Sequence, residues 1–305
     1  MMHFVMIFLD GFGLGGDRDN PIMAAHTPYI DELLGGHYLW GQERRIESEQ
    51  LILIPLDASL DVTGIPQSAT GQTTLWTGVN GAKALGFHLN AYPNEKLAEI
   101  IKEKSIFKQL ADQGKKVTFA NTFTSHYDEM IASGKRRHTA STLSALAGGV
   151  PLRRIEDLLQ GKGVYQDMTN EILRELEQEA DIPLITSYEA GKNLGRLALD
   201  YDFTLYEFFQ TDVRGHKQDW EKAVALIEQI DGFIGGFMSV VRHEDVTWLL
   251  TSDHGNIEDF RVKGHTQNPV PALGWSSKPL EWPQWERLED VTPGIVRMIL
   301  GTREL

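Results

Sequence analysis

The 305-residue sequence contains no cysteine. This absence excludes disulfide bonds, thiolate catalysis and zinc sites built on thiolates. Any metal ion would therefore have to be bound by Asp, Glu and His side chains and by hydroxyl groups.

Positive charge and long apolar runs are also scarce. The net charge of −14 is expected to repel nucleic acid and anionic membranes, so neither is predicted as a partner. A small phosphorylated substrate is not excluded, because a metal or a few local cations can override the overall field. No segment approaches the ~18–20 apolar residues of a membrane span. The apolar start lacks the basic region and cleavage site of a signal peptide, which predicts a cytoplasmic location. The oligomeric state stays open.

Four short apolar segments predict buried β-strands, at 3–10, 115–121, 202–212 and 246–253. They are rich in β-branched and aromatic residues, and three of them end in Asp. Helical patterns lie between them, for example over 27–34 and 219–242. This alternation predicts an α/β fold with a mainly parallel sheet that is covered on both faces.

The segment 124–190 differs from the rest, because it is helix-rich, polar and interrupted by Gly. We interpret it as a small helical cap or insertion over one end of the sheet, and 1–123 together with 191–305 as the core. Two basic clusters lie in it, "KRRH" at 135–138 and "PLRR" at 151–154. Either could hold an anionic substrate, although a solvated face is the favoured interpretation of each.

Polar side chains collect where the predicted strands end, which is the edge where open α/β sheets bind ligands. Taken singly, each Asp is more often a helix cap or turn acid than a ligand, and each His is more often an ordinary hydrogen-bonded group. Together, three carboxylates and three imidazoles are enough to bind two divalent ions, and such a set suits Zn²⁺ or Mn²⁺. The candidate ligands are Asp10, Asp212, His216, Asp253, His254 and His265, with Ser68 as a further one.

Ser68 lies in "GIPQSATGQTTLWTG" (64–78), near the expected start of a helix. One interpretation is an ordinary serine N-cap. The other makes Ser68 a nucleophile, with the amide groups and the positive dipole end of the helix facing an incoming phosphate. A neighbouring metal would lower the pKa of the hydroxyl, so the predicted metal cluster favours the nucleophile.

Five segments together resemble the alkaline phosphatase superfamily of metalloenzymes: "FLDGFG", "SATGQTTLWTG", "TDVRGH", "SDHGN" and "GHTQNPVP". They are most similar to cofactor-independent phosphoglycerate mutases and phosphopentomutases. The resemblance covers roughly residues 1–90 and 200–275 and implies an alkaline-phosphatase-like three-layer sandwich. Two nucleophile spacings found in the superfamily, one counted back from Thr77 and one counted to Gly71, both select Ser68.

The resemblance also implies how the ligands divide between two ions. One ion would be bound by Asp212, His216 and His265, and the other by Asp10, Asp253 and His254, with Ser68 directed toward the second. Asn90 lies near the position of an Asn that holds a non-bridging phosphate oxygen in some relatives, and an ordinary turn Asn is the alternative.

The mutases that resemble this chain carry a large second domain between the nucleophile and the Asp-x-x-Gly-His motif, and here that interval is short. A small cap excludes water poorly, which favours hydrolysis over retention of the substrate. We therefore predict a two-metal-dependent hydrolase of phosphoric esters, a phosphatase or phosphodiesterase, that acts through a phospho-serine intermediate. The alternatives are a phosphomutase with the same chemistry and a non-catalytic binding or sensor protein that retains the metals.

Overall fold

The computed structural model describes residues 2–177 and 181–301. Within them seven strands form one mixed sheet: β1 His3–Leu9, β2 Ile46–Glu47, β3 Leu51–Leu56, β4 Val117–Phe119, β5 Phe203–Phe208, β6 Val246–Thr251 and β7 Val270–Ser276. Their order across the sheet is β2-β3-β7-β6-β1-β5-β4. The strands from β6 to β4 pair in parallel, whereas β2, β3, β7 and β6 pair in antiparallel fashion.

The antiparallel half of the sheet is absent from the sequence-based prediction of a mainly parallel sheet. Strands β3 and β7 each contain a proline, which normally argues against an internal strand. In the structure Pro55 lies directly opposite Pro271 in the pairing of these two strands. The proline that makes each strand hard to recognise in the sequence is therefore paired with the proline of the neighbouring strand.

Three of the four predicted strands correspond to β1, β4 and β6. The fourth, predicted over 202–212, is too long, because β5 ends at Phe208 and a helix covers Gln210–Lys217. Asp212 consequently lies in the first turn of that helix, and His216 follows one turn later on the same face.

Helices cover both faces of the sheet. The chain-order labels are α1 Pro21–Ala24, α2 Pro28–Leu34, α3 Ser68–Thr77, α4 Gly81–Leu85, α5 Glu95–Lys104, α6 Ile106–Ala111, α7 Ser125–Ala132, α8 Ala140–Ala147, α9 Ile155–Leu159, α10 Glu171–Leu176, α11 Ser187–Ala198, α12 Gln210–Lys217, α13 Trp220–Val241 and α14 Leu288–Leu300. Side chains of β1 alternate between two apolar cores, as strand geometry requires. One core includes α1, α2, α11 and α13, and the other includes α3, α5, α6, α8 and α14. The predicted three-layer α/β fold is confirmed.

The segment 124–190 contains α7 to α10 and the start of α11. Helix α8 packs against α3, α5 and α6, and its Ala140 and Ala145 belong to the core on that face of the sheet. Helices α9 and α10 contribute to a separate small cluster with Leu158 and Leu173. Residues 178–180 lie outside the described part, and the division into core and cap stays a prediction.

Helix α13 is long and apolar enough to cross a membrane by length and composition, contrary to the expectation that no segment approaches a span. Of its most apolar window, 61% is buried inside the protein. Its Ile230, Phe233 and Phe237 lie in the core, and the helix packs along α11. Burial of this kind is also typical of the core helix of a globular domain.

The contact between α11 and α13 requires glycine. A Cβ atom at Gly236 would lie 1.8 Å from the carbonyl oxygen of Tyr188. We expect Gly236→Ala to lower the free energy of unfolding by about 2 kcal/mol or more, because the helices must separate to admit the methyl group. Urea unfolding would measure this. Gly16→Ala is the control, since a Cβ there meets nothing within 4 Å, and equal stability of the two variants would contradict the close packing.

Candidate metal centre

The candidate ligands converge beyond the carboxyl ends of β1, β5 and β6. On one side, His254 Nε2 lies 3.4 Å from Asp10 Oδ1 and 3.6 Å from Asp253 Oδ2. Both aspartates and the histidine are buried. These three side chains come from the ends of two neighbouring strands, so the parallel pairing of β1 with β6 brings them together.

On the other side, His265 Nε2 lies 3.3 Å from Asp212 Oδ1 and 3.2 Å from His216 Nε2. His216 Nε2 is in turn 3.3 Å from Asp212 Oδ2. The rings of His254 and His265 stack with centroids 3.7 Å apart, which joins the two sides into one cluster. The other ring nitrogen of His265, Nδ1, forms a hydrogen bond with the Pro66 carbonyl oxygen at 2.9 Å, which orients the ring.

The candidate ligand atoms form two compact groups, and the atoms within each group all lie within 4.8 Å of one another. The first is Asp212, His216 and His265, which matches one of the two predicted sets. The second combines Asp10 and His254 with Asp212, where the prediction had Asp253. Asp212 thus takes part in both groups. The division of ligands between two ions stays a prediction.

Ser68 is the first residue of α3, and Gln67 is the N-cap. The Ser68 hydroxyl oxygen lies 3.0 Å from His254 Nε2, so it faces the ligand cluster. Helix α3 approaches this cluster closely because residue 71 is glycine: a Cβ there would lie 2.8 Å from the Asp253 carbonyl oxygen. The structure brings Ser68 to the candidate ligands, and its role as nucleophile stays a prediction.

The chemistry of this donor set fits a divalent cation. Asp10 Oδ1 and Asp253 Oδ2 are buried oxygens without a hydrogen-bond partner in the described structure. Burial and the neighbouring Asp253 and Asp212 carboxylates raise the pKa of Asp10 well above its ordinary value. Burial and the Asp212 charge raise the pKa of Asp253 to about 7. A cation would satisfy the free oxygens and relieve this repulsion.

The histidines support the same interpretation. Burial, and next the charge of His265, lower the pKa of His254 to about 3, which keeps its imidazole neutral and able to offer a lone pair. Burial opposes ionisation of Asp212, but its hydrogen bonds with His265 and Asn256 and the charge of His265 outweigh burial and lower the pKa of Asp212 to about 2. Asp212 is therefore a carboxylate over the whole physiological range.

Glu258, which is not among the residues predicted from the sequence, organises the loops that carry these ligands. It is fully buried. Its Oε2 accepts from the backbone N–H groups of Gly13 at 3.0 Å and Asn256 at 2.7 Å, and its Oε1 accepts from Thr266 and Asn268. One carboxylate thus ties together the loops that follow Asp10, His254 and His265. The only indication in the sequence is its place in "DHGNIED".

Three further polar residues were missed. Gln72 donates to Asp10 Oδ2 at 3.2 Å, and its place four residues after Ser68 puts both on one face of α3. Asn256 donates to Asp212 Oδ1 at 2.6 Å. Glu207, buried in β5, accepts from Ser141 at 2.6 Å and lies close enough to Asp10 to raise its pKa further. These contacts join residues that are far apart in the sequence.

Asn90 is exposed, and its Oδ1 accepts from the backbone N–H of Ala91 at 2.6 Å. The neighbouring Leu89 exchanges hydrogen bonds with Thr70 at the start of α3, which places this loop beside Ser68. The predicted contact of Asn90 with phosphate stays a prediction.

Of the two basic clusters, "PLRR" is engaged in the fold. Arg153 is buried and donates to Thr118 Oγ1 at 2.7 Å and to the Tyr201 hydroxyl at 3.1 Å. Arg154 forms an ion pair with Asp128 at 2.9 Å. These contacts give both arginines a structural role.

Comparison with known proteins relates part of this site to a family. Residues 153–302 match the family model described as "Metalloenzyme superfamily". This match assigns a metalloenzyme-superfamily domain to residues 153–302. A domain of this superfamily implies divalent metal ions, and the clusters around Asp10 and His216 are where the described residues could bind them.

Curated relatives include the 2,3-bisphosphoglycerate-independent phosphoglycerate mutase of Clostridium botulinum, 32% identical over 126 residues. That match covers 38% of this chain and 25% of the relative. The mutase of the same name from Helicobacter pylori is 36% identical over 77 residues, which cover 25% of this chain and 15% of the relative. The matched part is thus a quarter or less of either relative's length.

Solved structures share the fold across nearly the whole chain. The PH0037 protein of Pyrococcus horikoshii has a TM-score of 0.61 at 17% identity, covering 99% of this chain and 98% of its own. The alkaline phosphatase of the Antarctic bacterium TAB5 has a TM-score of 0.53 at 12% identity, with the same coverage. At these identities the similarity concerns the fold alone.

Removal of the Glu258 charge is expected to weaken metal binding. In Glu258→Gln an amide –NH₂ replaces an acceptor that faces only donors, so the loops around Gly13, Asn256 and Thr266 lose a common anchor. We expect divalent-ion affinity to fall about tenfold or more, as found for residues that orient metal ligands. Calorimetric titration of the metal-free protein with Mn²⁺ measures it. The control is Asp259→Asn, which removes the adjacent charge and its ion pair with Arg261; equal losses in both variants would contradict a special role for Glu258.

Glu207 should make the stability of the metal-free protein depend on pH. Burial raises its pKa to about 7, against opposing effects of Ser141 and Arg136. The folded state therefore holds the proton more tightly than the unfolded state, and this contribution to stability is lost as pH rises from about 4.5 through 7. Glu207→Gln lacks this loss, so its stability relative to wild type should rise by on the order of 2 kcal/mol between pH 5 and pH 8.

Urea unfolding in EDTA at the two pH values tests this expectation. The other titrating groups are common to wild type and variant, so their contributions cancel in the difference, except that of Asp10, whose pKa the Glu207 charge helps to raise. Glu99→Gln on the exposed side of α5 is the control and should change the free energy of unfolding by less than about 0.5 kcal/mol at either pH. A pH-independent difference for Glu207→Gln would show that the buried carboxyl does not titrate in this range.

Proposed function

We propose that this protein is a two-metal-dependent hydrolase of phosphoric esters that acts through a phospho-serine intermediate on Ser68. The observation that carries the proposal is the direction of the Ser68 hydroxyl, which faces His254 Nε2 at 3.0 Å beside the unpartnered oxygens of Asp10 and Asp253. The proposed partner is a small phosphorylated substrate.

In this proposal the chain's own residues orient the attack. Ser68 Oγ forms a bond to phosphorus while the bond from phosphorus to the ester oxygen breaks, and the leaving group gains a proton. Water then attacks the phospho-serine, which releases phosphate and restores the hydroxyl. Because Ser68 begins α3, the positive end of the helix dipole faces the phosphoryl group and favours its negative charge.

The proposed cofactors are two divalent ions, Zn²⁺ or Mn²⁺, held by the three aspartates and three histidines of the cluster. Such ions supply charge stabilisation for the attacking and leaving oxygens of an in-line displacement. Glu258, Gln72 and Asn256 keep the ligands oriented through the hydrogen bonds described above.

A phosphomutase is the second candidate. It is supported by the names of the curated relatives, because the chain matches part of two phosphoglycerate mutases. A mutase must return the phosphoryl group from Ser68 to the same substrate before water takes it. Because this chain matches only a quarter or less of those relatives, the hydrolase is the preferred proposal.

The purified protein with Mn²⁺ or Zn²⁺ should hydrolyse p-nitrophenyl phosphate or its bis ester. Ser68→Ala should lower kcat by a factor of at least about 10³, because alanine lacks the attacking oxygen. The release of p-nitrophenolate measures the rate, and calorimetry should show that the variant still binds metal.

Other outcomes separate the candidates. Interconversion of 3- and 2-phosphoglycerate, or of ribose 1- and 5-phosphate, without net release of phosphate would favour the mutase. Full metal occupancy without turnover of any ester would favour a binding or sensor protein.

A further inference from the structure

The basic cluster "KRRH" differs from "PLRR" in its exposure and in its contacts. Arg136 and Arg137, which we call the arginine pair, are both exposed and lie in the loop between α7 and α8. Neither forms an ion pair with a carboxylate in residues 2–177 and 181–301. The net charge of the chain is −14, so these two cations lie within a mainly acidic protein.

Aromatic rings hold both guanidinium groups. Arg136 Cζ lies 5.0 Å from the centre of the Tyr127 ring, and Arg137 Cζ lies 5.1 Å from that of Tyr92. A guanidinium placed over a ring keeps its N–H donors available at its edge, where they match the two oxygens of a carboxylate or phosphate. The pair is thus oriented before any anion binds, which reduces the entropy lost on binding.

Two sets of contacts relate the arginine pair to the candidate centre. Tyr92, beneath Arg137, follows the loop whose Leu89 exchanges hydrogen bonds with Thr70, two residues after Ser68. Arg136 acts on Glu207: burial raises the pKa of Glu207, and the charge of Arg136 works against that rise. Glu207 accepts a hydrogen bond from Ser141 at the start of α8, and the next residue, Phe208, accepts one from the backbone N–H of Asp10 at 2.9 Å. Both cations therefore lie on the side of the centre formed by the start of α8 and the 86–92 loop.

We propose that Arg136 and Arg137 form an anion subsite for a second negatively charged group, a carboxylate or a further phosphate, on the leaving group of the substrate. This proposal rests on the proposed function, because it assigns the subsite to the ester cleaved at Ser68. It defines the substrate class as phosphoric esters whose alcohol carries its own oxyanion.

Matched esters test the subsite. 4-Carboxyphenyl phosphate and 4-carbamoylphenyl phosphate have the same shape and differ by one negative charge. We expect wild type to prefer the carboxylate ester by about five- to tenfold in kcat/KM, mainly through KM, as for partly exposed charge-assisted hydrogen bonds. In Arg136→Gln and Arg137→Gln this ratio should fall toward one, and added salt should lower it in wild type.

Arg154→Gln is the matched control, because it removes a partly exposed arginine whose ion pair is with Asp128. It should leave the ratio unchanged. Benzene-1,4-diyl bisphosphate serves as the third ester, and a higher preference for it than for the carboxylate would identify phosphate as the second group. A ratio near one in active wild type, or an equal fall in all three variants, would overturn the subsite.

Failure of the proposed function gives a different result. If no ester is hydrolysed, calorimetric binding of 4-carboxyphenylphosphonate and its carbamoyl analogue replaces the kinetic ratio. A charge preference that is lost in Arg136→Gln and Arg137→Gln would then support the subsite while the hydrolase proposal fails. Equal binding of the two phosphonates would overturn the subsite.

Discussion

Mutual repulsion among buried carboxylates is the constraint on which the rest of this site depends. Asp10, Asp212 and Asp253 meet in one cluster, and burial with their own charges raises the pKa of Asp10 and Asp253. Such a group is stable only when cations, protons or donors balance it. These residues suit a divalent ion because the neutral His254 imidazole offers a lone pair and the carboxylate oxygens have no hydrogen-bond partner.

The surrounding scaffold keeps this repulsive group assembled. Glu258 lies outside the ligand cluster and binds backbone and side-chain donors from three loops, so its charge is compensated by hydrogen bonds. Helix α3 closes the cluster from another side, where Gly71 permits contact with the backbone of Asp253. Ser68 and Gln72 then project from one face of the same helix toward the ligands. Both contacts therefore depend on how α3 packs against the cluster.

Activity and family are supported at different levels. The metalloenzyme-superfamily domain and the alkaline-phosphatase-like fold follow from the family match and the solved structures. Hydrolase or mutase activity depends on how well the substrate is enclosed, and the match to the mutases covers too little of them to carry that property. The loop that carries the arginine pair lies outside the residues matched by the family model.

Local sequence determined the parts of the protein whose cause is local. Apolar runs that end in Asp identified β1 and β6 and placed Asp10 and Asp253 at one edge of the sheet. The local sequence did not reveal β3 and β7, whose prolines lie opposite each other. It also did not reveal that a helix begins before Asp212. Only the tertiary structure decided the contacts of Glu258, Gln72 and Glu207, because each joins segments far apart in the chain. Hydrogen bonds and charge interactions of this kind depend on distance in space, and no spacing in the sequence encodes that distance.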